Sequence, residues 1–238
     1  MSSRRVALVT GSAGGIGRAV VAALAEAGCA VAGLDQVDAG RDAEDLALRG
    51  DVSEPDTVER AVERVGSVLG PVEVLVNAAG IGGPFHRVDE VALDEWERLF
   101  AVNVRGPWLL CRKLLPEMAA RRRGRVINIA SVQGLRGAAR SSTYVATKHA
   151  LVGLTRALAL EWGGHGITVN AICPGYVDTP MGLRPDVDPG AAQALARIPS
   201  GRQARPDEIA AAVAFLAGER AAYVNGAVLV VDGGLSAG

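Results

Sequence analysis

Short runs of apolar, largely β-branched residues alternate along the chain with longer stretches in which apolar residues recur at helical spacing. Several of the short runs are apolar throughout, which is typical of strands buried on both faces. The alternation predicts an α/β fold in which helices cover both faces of a mostly parallel sheet. The short runs are Val6–Thr10, Ala30–Leu34, Val74–Asn77, Val126–Ala130, Thr168–Ile172 and Val228–Val231, and the longer stretches are Ile16–Ala27, Thr57–Val68, Leu93–Met118, Thr143–Trp162 and Asp207–Ala217.

Turn-forming residues mark the predicted ends of some of these elements. Gly28 directly follows the first helical stretch, at a position where glycine commonly ends a helix. Ser53, followed by Glu54 and Pro55, is typical of an N-cap and a first helical turn. Pro116 falls inside a helical stretch, where it predicts a bend or a seam.

No linker, repeat or low-complexity tract interrupts the sequence, so we expect a single domain over residues 1–238. The least regular segment is Asp178–Gly201, which contains four prolines. Long irregular segments of this kind often serve function. We expect this one to be a mobile loop beside the substrate.

Charge and cysteine usage narrow the possible partners. The net charge of −1 argues against nucleic acid or an anionic membrane surface, and the basic cluster Arg121–Arg123 with Arg125 is interpreted as a solvated helix end. Cys29, Cys111 and Cys173 lie far apart and fit no metal-binding spacing, which predicts no disulfide and no metal site. No apolar run is long enough for a membrane helix or a signal-peptide core. We therefore expect a cytoplasmic protein.

A glycine-rich turn, Thr10–Gly17, joins the first strand to the first helix. Glycines let the backbone approach a pyrophosphate closely, and the helix N-terminus supplies amide donors and the positive end of a dipole. The spacing is G-x-x-x-G-x-G, and glycines in such turns also serve geometry alone. The position of the turn at the first crossover favours nucleotide binding.

Asp35 ends the second strand. A carboxylate there can accept hydrogen bonds from the hydroxyls of an adenosine ribose and would repel a 2′-phosphate. Ser12, Ala13, Gly14 and Gln36 supply no basic side chain that would hold such a phosphate. These residues favour NAD over NADP, the alternative being a solvated acid at a strand end.

Tyr144 and Lys148 lie four residues apart and therefore share one face of a predicted helix. Lysine is scarce in this chain, where Lys113 is the other one, and there are three tyrosines. A tyrosine with its usual pKa of about 10 is a poor base near neutrality, and a nearby ammonium lowers that pKa. The pair is a candidate catalytic base with its activating cation. A partly buried tyrosine beside a snorkelling lysine is the alternative.

Ser131 follows the predicted strand Val126–Ala130. Because the carboxyl ends of parallel strands line the ligand crevice, its hydroxyl is a candidate donor to a substrate oxygen on which charge develops. A polar residue at a strand end without any such role is the alternative.

From Val6 to Gly234 the chain resembles the short-chain dehydrogenase/reductase family. The glycine turn matches the family's T-G-x-x-x-G-x-G motif, and Asn103, Ser131, Tyr144 and Lys148 match its catalytic tetrad. The resemblance implies a Rossmann-type, doubly wound domain with a mostly seven-stranded parallel sheet. Other segments similar to family motifs are Asp51-Val52, Asn77–Gly80 with Val76 in place of an asparagine, Pro174–Thr179 and Val230–Gly234, while Ile198–Arg202 and Arg205–Ile209 resemble the 3-oxoacyl reductase branch.

The resemblance further implies that NAD lies across the strand ends, with its diphosphate over the glycine turn, its adenosine near Asp35 and its carboxamide at Pro174–Thr179. The residues so assigned to the cofactor are Gly11, Ser12, Gly15, Ile16, Gly17, Asp35, Asp51, Val52, Asn77, Ala78, Gly80, Tyr144, Lys148, Pro174, Gly175, Val177 and Thr179.

By the same resemblance, hydride passes between the nicotinamide and a carbinol or ketone carbon. Tyr144 exchanges a proton with the substrate oxygen, which Ser131 orients. Lys148 lowers the pKa of the tyrosine and holds the nicotinamide ribose. Asn103 positions, through its backbone carbonyl, a water that links Lys148 to solvent.

Three functions remain open on these grounds. The first is a NAD-linked dehydrogenase of a small secondary alcohol, sugar or cyclic diol. The second is an NADPH-dependent 3-oxoacyl-(carrier protein) reductase, against which Asp35 argues. The third is a non-catalytic nucleotide-binding regulator, against which the complete tetrad argues.

Family analogy also suggests a substrate pocket and an assembly. The pocket residues with polar or flexible side chains are Gln133, Arg140, Tyr176 and Met181. Since family members are often tetramers, we expect a homotetramer built on the long helical stretches.

Overall fold

The computed structural model describes residues 4–37, 43–83, 85–184 and 190–237. Its sheet has seven parallel strands in the order β3-β2-β1-β4-β5-β6-β7, which confirms the expected Rossmann-type fold. The strand order reverses between β1 and β4, so the carboxyl ends of these two strands flank the ligand crevice of such a sheet. The strands are β1 (Val6–Thr10), β2 (Ala30–Asp35), β3 (Leu46–Arg49), β4 (Val72–Asn77), β5 (Gly124–Ile129), β6 (Ile167–Pro174) and β7 (Val228–Val231).

Helices connect the strands, and the five predicted helical stretches are all confirmed. The third of them is interrupted, because a π-helical segment at Ala101–Arg105 separates two α-helices within it. The helices are α1 (Gly15–Glu26), α2 (Pro55–Val68), α3 (Leu93–Phe100), α4 (Gly106–Ala120), α5 (Ser142–Trp162), α6 (Ala191–Ala196) and α7 (Pro206–Ala217).

The core has two apolar layers, one on each face of the sheet. Successive side chains of a strand point to opposite faces, so Val6 and Leu8 of β1 join the layer beneath α2 and α4. Ala7 and Val9 join the other layer, beneath α1 and α7. Burial on both faces explains why β1 is apolar from Val6 to Val9.

Strand β3 was not among the apolar runs identified in the sequence. It is short, lies at the edge of the sheet and is only partly buried, so its sequence carries a weak apolar signal. It pairs in parallel with β2, and the register places Arg49 opposite Asp35. This edge strand therefore brings a basic residue beside the acid that ends β2.

Two local predictions were wrong. The N-cap of α2 is Glu54 and not Ser53, because the Ser53 hydroxyl and backbone amide both donate to the Asp51 carboxylate, at 2.7 and 2.8 Å. Pro116 is not the seam either, since α4 continues past it to Ala120. The interruption lies at the π-helical segment, where a helix accommodates one extra residue.

The arginine cluster binds other parts of the chain at the amino end of the sheet. Arg121 donates to the Val72 carbonyl at 2.8 Å, and Arg123 forms an ion pair with Glu73 at 2.9 Å. Arg122 donates to a backbone carbonyl as well. The cluster therefore fastens the ends of neighbouring strands and is not merely a solvated helix end.

Within the described residues, no helix is both long and apolar enough to cross a membrane, and no group of potential metal ligands comes together. Cys29, Cys111 and Cys173 are buried free thiols. The irregular segment Asp178–Gly201 contains α6, and residues 185–189 of it lie outside the described part of the chain. Its mobility stays a prediction.

Candidate active site

The glycine turn folds back tightly between β1 and α1. Gly11 has a φ of +67°, and a Cβ there would lie 2.7 Å from the Ala79 Cα. A Cβ at Gly17 would lie 1.9 Å from the Gly11 carbonyl oxygen, so this position admits no larger residue without moving the turn. Helix α1 begins after Gly14 with no side-chain cap and no acidic residue in its first turn. Its amide groups are therefore suited to an anionic diphosphate.

Asp35 lies against this turn. Its carboxylate accepts hydrogen bonds from the backbone amides of Ala13, at 3.0 Å, and Val37, at 3.2 Å. The two contacts fix the carboxylate where the second strand meets the glycine turn. In dinucleotide-binding folds an acid near the end of the second strand commonly binds the adenosine ribose.

Asp51 belongs to a polar network at the next strand end. Arg98 of α3 forms an ion pair with it at 2.8 Å, and the Gln36 side-chain amide donates to it at 2.8 Å. Burial raises the pKa of Asp51, but hydrogen bonds from Ser53 and Arg98 outweigh that effect and hold the pKa below its usual value. The carboxylate is thus charged and oriented, with the buried Val52 beside it.

Ser131, Tyr144 and Lys148 meet where β5 ends against α5. The Ser131 hydroxyl accepts the backbone N–H of Gln133 at 3.1 Å, which holds its side chain in place, and its influence lowers the pKa of Tyr144. The Lys148 Nζ is buried, donates to the Ile129 carbonyl at 3.0 Å and lies 5.5 Å from the centre of the Tyr144 ring. The end of β5 and the first turns of α5 thus bring these three residues into one cluster.

The pKa values of this cluster differ from the expectation. Burial raises the pKa of Tyr144 to about 12, although the hydrogen bond from Ser131 opposes the shift. Burial also lowers the pKa of Lys148 to about 8. The predicted lowering of the tyrosine pKa by the lysine is not found here, because desolvation dominates both groups.

Asn103 lies in the π-helical segment and is buried. Its side-chain oxygen accepts the Ile81 amide and its nitrogen donates to the Ile81 carbonyl, both at 2.9 Å. The same nitrogen donates to the Thr147 hydroxyl at 3.2 Å. A Cβ at Gly80 would lie 3.4 Å from the Asn103 Oδ1 and 3.5 Å from the Lys148 Nζ. The fourth predicted tetrad residue therefore lies on the side of Gly80 that also faces Lys148.

The segment after β4 is held by buried polar contacts. Asn77 donates through its side chain to Asn128 of β5 at 2.8 Å, and the Ala79 amide donates to the Thr10 hydroxyl at 3.1 Å. The Asn77 side chain thus serves the sheet interior. Of the segment Asn77–Gly80, the backbone at Ala78 and Gly80 is therefore what a cofactor could contact.

The segment after β6 lies against the glycine turn from the opposite side. The Gly175 amide donates to the Val231 carbonyl at 3.0 Å, and Val177 pairs with Ala204 in a short bridge. The Thr179 methyl packs so closely on Gly15 that a Cβ there would lie 2.5 Å from it. Pro174–Thr179 therefore forms a wall of the same crevice.

The role of the four predicted substrate residues stays a prediction, and Tyr176 is partly buried. The Ser141 hydroxyl donates to the Gln133 side-chain oxygen at 2.9 Å, while Met181 is 58% exposed. Arg140 has a φ of +61°, and its guanidinium donates to the Phe85 carbonyl at 2.9 Å. Arg140 also pairs with a glutamate, so it fastens the neighbouring loop and is not free toward the crevice.

Sequence reasoning missed several residues of this site. Thr147 and Ser141 carry no motif signal beyond their positions beside Lys148 and Arg140. Arg49 and Arg98 lie on elements far from the glycine turn in sequence. Only the pairing of β3 with β2 shows that Arg49 lies beside Asp35.

Comparisons with known proteins agree with this geometry. The profile of the family described as enoyl-(acyl carrier protein) reductase matches residues 11–236. A cis-4-hydroxycyclohexanecarboxylate dehydrogenase of Sinomonas cyclohexanicum is 42% identical over 99% of this chain and 98% of its own length. A 3-oxoacyl-[acyl-carrier-protein] reductase of Vibrio cholerae is 36% identical over 97% of both chains. The crystal structure of levodione reductase superposes with a TM-score of 0.91 at 36% identity, covering 100% of this chain and 99% of that one.

The site and the fold define an oxidoreductase that acts on alcohol or ketone groups with a nicotinamide cofactor. The chain belongs to the short-chain dehydrogenase/reductase family.

Proposed function

We propose that this enzyme transfers hydride between NAD(H) and a small secondary alcohol or its ketone. The observation that carries the NAD preference is the Asp35 carboxylate, held at the glycine turn by the Ala13 amide. A negative charge at this position favours ribose hydroxyls and disfavours a 2′-phosphate. Solved relatives include one described with bound NADP and one complexed with NADH, so the choice rests on this chain's own residues.

The residues around the crevice fit a dinucleotide. The uncapped start of α1 suits the diphosphate, Asp35 the adenosine ribose, and Asp51 with Val52 the adenine edge. Gly80 and Lys148 adjoin the place assigned to the nicotinamide ribose, and Pro174–Thr179 flanks the carboxamide. When bound, the cofactor accepts or supplies the hydride.

The protein's own contribution is proton transfer and orientation. The Tyr144 hydroxyl gives its proton to the substrate oxygen during reduction and receives it during oxidation. The Ser131 hydroxyl, fixed by the Gln133 amide, donates to the same oxygen as negative charge develops. Lys148, buried beside the Tyr144 ring, is proposed to hold the nicotinamide ribose. Asn103 keeps its assigned role in proton exchange through a water.

The substrate class we favour is a small secondary alcohol such as a cyclic alcohol or a polyol. Support comes from relatives described as cis-4-hydroxycyclohexanecarboxylate dehydrogenase, D-threitol dehydrogenase and levodione reductase. The substrate residues assigned are Gln133, Tyr176 and Met181, whereas Arg140 is withdrawn from the set because it pairs with Glu90. Reduction of a 3-oxoacyl carrier is the second candidate, favoured by the Vibrio cholerae relative and opposed by Asp35.

We also propose a homotetramer in the cytoplasm. An open groove of about 610 Å³ runs along the outer side of α3, α4 and α5, and its lining includes Trp96, Phe100 and Trp108. Trp96 and Trp108 are 39% and 44% exposed. Because aromatic residues are enriched in protein interfaces, this groove is suited to binding a second copy of the chain. Light scattering on the purified protein measures the number of subunits.

The test of the proposed function is a panel of secondary alcohols and ketones assayed with NAD(H) and NADP(H), alongside titration of both reduced cofactors. We expect turnover with NAD(H) and NADH binding at least tenfold tighter than NADPH binding, about 1.4 kcal/mol. Tighter NADPH binding would move the acyl reductase to first place. If neither cofactor binds, the non-catalytic regulator becomes the favoured function and hydride transfer is excluded.

A further inference from the structure

Arg49 is an exposed base at the end of the edge strand β3. In the β2–β3 pair its Cα partner is Asp35. Neighbouring strands lie about 4.8 Å apart, and paired residues project from the same face of a sheet. The edge of the ribose site therefore carries a base next to the acid that reads the ribose.

The guanidinium of Arg49 is oriented but not neutralised. Its Nε donates to the Gln36 backbone carbonyl at 3.0 Å. Among the described residues, its two terminal nitrogens form no hydrogen bond and no carboxylate lies within ion-pair distance. A planar guanidinium with free terminal donors matches the oxygens of a phosphate.

Asp35 occupies the other donors at this edge. Its two carboxylate oxygens accept the backbone amides of Ala13 and Val37, at 3.0 and 3.2 Å. Without the carboxylate, both amides would point into the space beside the adenosine ribose. The two amides come from different segments, the glycine turn and the end of β2, and as strong donors they would then be available to an anion.

We propose that Arg49 and these two amides form a latent 2′-phosphate site, and that Asp35 alone keeps NADP(H) from using it. The inference rests on the proposed nucleotide site. The sequence alone indicated no basic residue near Asp35, because Ser12, Ala13, Gly14 and Gln36 supply none. Removal of the acid alone is expected to be sufficient, because the base is already present on β3.

The test is calorimetric binding of adenosine 2′,5′-bisphosphate and adenosine 5′-monophosphate, which needs no turnover. The variants are Asp35→Ala, Asp35→Ala with Arg49→Gln, and Asp35→Ala with Arg60→Gln. Arg60 is an exposed arginine of α2 that donates to Thr57 of the same helix, so its loss matches the change in net charge without removing a residue paired with Asp35.

We expect Asp35→Ala to bind the bisphosphate at least tenfold more tightly than the monophosphate. Adding Arg49→Gln should weaken bisphosphate binding about tenfold, whereas adding Arg60→Gln should change it by less than twofold. Higher salt should reduce the bisphosphate affinity of Asp35→Ala more than that of the Arg49→Gln double variant, because screening acts on the charge contact.

Equal bisphosphate affinity in the two double variants would overturn the role of Arg49. No gain in Asp35→Ala, while wild type binds NADH, would overturn the latent site but leave the proposed function intact. Failure of wild type to bind NADH or the monophosphate would instead overturn the proposed function and the inference with it. Asp35→Asn, which keeps the shape of the side chain, replaces Asp35→Ala throughout should circular dichroism show that the alanine variant does not fold.

Discussion

The side-chain nitrogen of Asn103 lies 3.2 Å from the hydroxyl of Thr147, which itself donates to the Tyr144 carbonyl at 2.8 Å. Thr147 is fully buried and directly precedes Lys148 in α5. This hydroxyl therefore connects the π-helical segment to the first turns of the helix that carries two of the tetrad residues.

We expect Thr147→Val to lower kcat about tenfold with little change in the KM for NAD. The isosteric change leaves a buried amide donor without its partner, at a cost of about 1–3 kcal/mol, and frees Lys148 to shift. Thr147→Ser, which keeps the hydroxyl, is the matched control. Steady-state kinetics over a pH series measure both variants, and a serine variant as impaired as the valine variant would contradict a positioning role.

Tyr144→Phe should abolish turnover, with kcat reduced at least about a thousandfold, because no other hydroxyl is assigned the proton transfer. NADH affinity should stay within about threefold of wild type, since the ring and its packing remain. Fluorescence titration and single-turnover assays separate the two quantities. Near-normal kcat in this variant would remove Tyr144 from the mechanism.

Lys148→Met should stabilise the folded protein near pH 7 while destroying activity. Burial lowers the pKa of Lys148 from its usual 10.5 to about 8, so below pH 8 folding buries a charge that the unfolded chain keeps hydrated. The unfolded state binds more protons between pH 8 and 10.5, and wild-type stability from this group therefore rises with pH in that window.

The stabilisation of Lys148→Met at pH 7 is expected on the order of 2 kcal/mol, because the lost hydrogen bond to the Ile129 carbonyl offsets part of the desolvation gain. The advantage should shrink as the pH rises from 8 to 10.5. Urea denaturation of wild type and variant at several pH values measures the difference. A constant difference across this range would show that Lys148 does not titrate there.

Two helical glycines should respond oppositely to alanine. At Gly17 of α1 the added Cβ would lie 1.9 Å from the Gly11 carbonyl, whereas at Gly66 of α2 it would meet nothing within 4 Å. Gly17→Ala should abolish NADH binding and lower the melting temperature. Gly66→Ala should raise stability by about 0.5–1 kcal/mol, because glycine is unfavourable inside helices.

Thermal melts and NADH titration of the two alanine variants test this pair. Intact cofactor binding by Gly17→Ala would mean that the glycine turn can shift without losing the cofactor site. Destabilisation by Gly66→Ala would mean that a neighbouring group contacts α2 at this position.

Most of the sheet and the tetrad were predictable because they depend on local pattern or on motifs in fixed order. Strand β1 shows this well, since burial on both faces leaves an unbroken apolar run. Strand β3 was not found, because an edge strand with half-exposed side chains lacks that run. The raised pKa of Tyr144 could not be predicted from the sequence either, because it results from burial in the folded protein and not from the spacing to Lys148.

Local motifs failed where a tertiary contact outweighed them. Ser53 has the right neighbours for an N-cap, but Asp51 accepts both of its donors. Pro116 is a helix breaker by propensity, yet α4 accommodates it. The π-helical segment carries no residue signature that distinguishes it from continuous helix, so its place was visible only in the backbone.

That segment limits how the gene can change. Each residue of an α-helix turns the chain by about 100°. Loss of one residue from Ala101–Arg105 would therefore join α3 and α4 into one regular helix and rotate α3 relative to α4. Either Asn103 would leave Ile81, or the aromatic side chains of α3 would leave their groove. Single substitutions in this segment keep its length, whereas a change of length would disturb the Asn103 contacts or the surface groove.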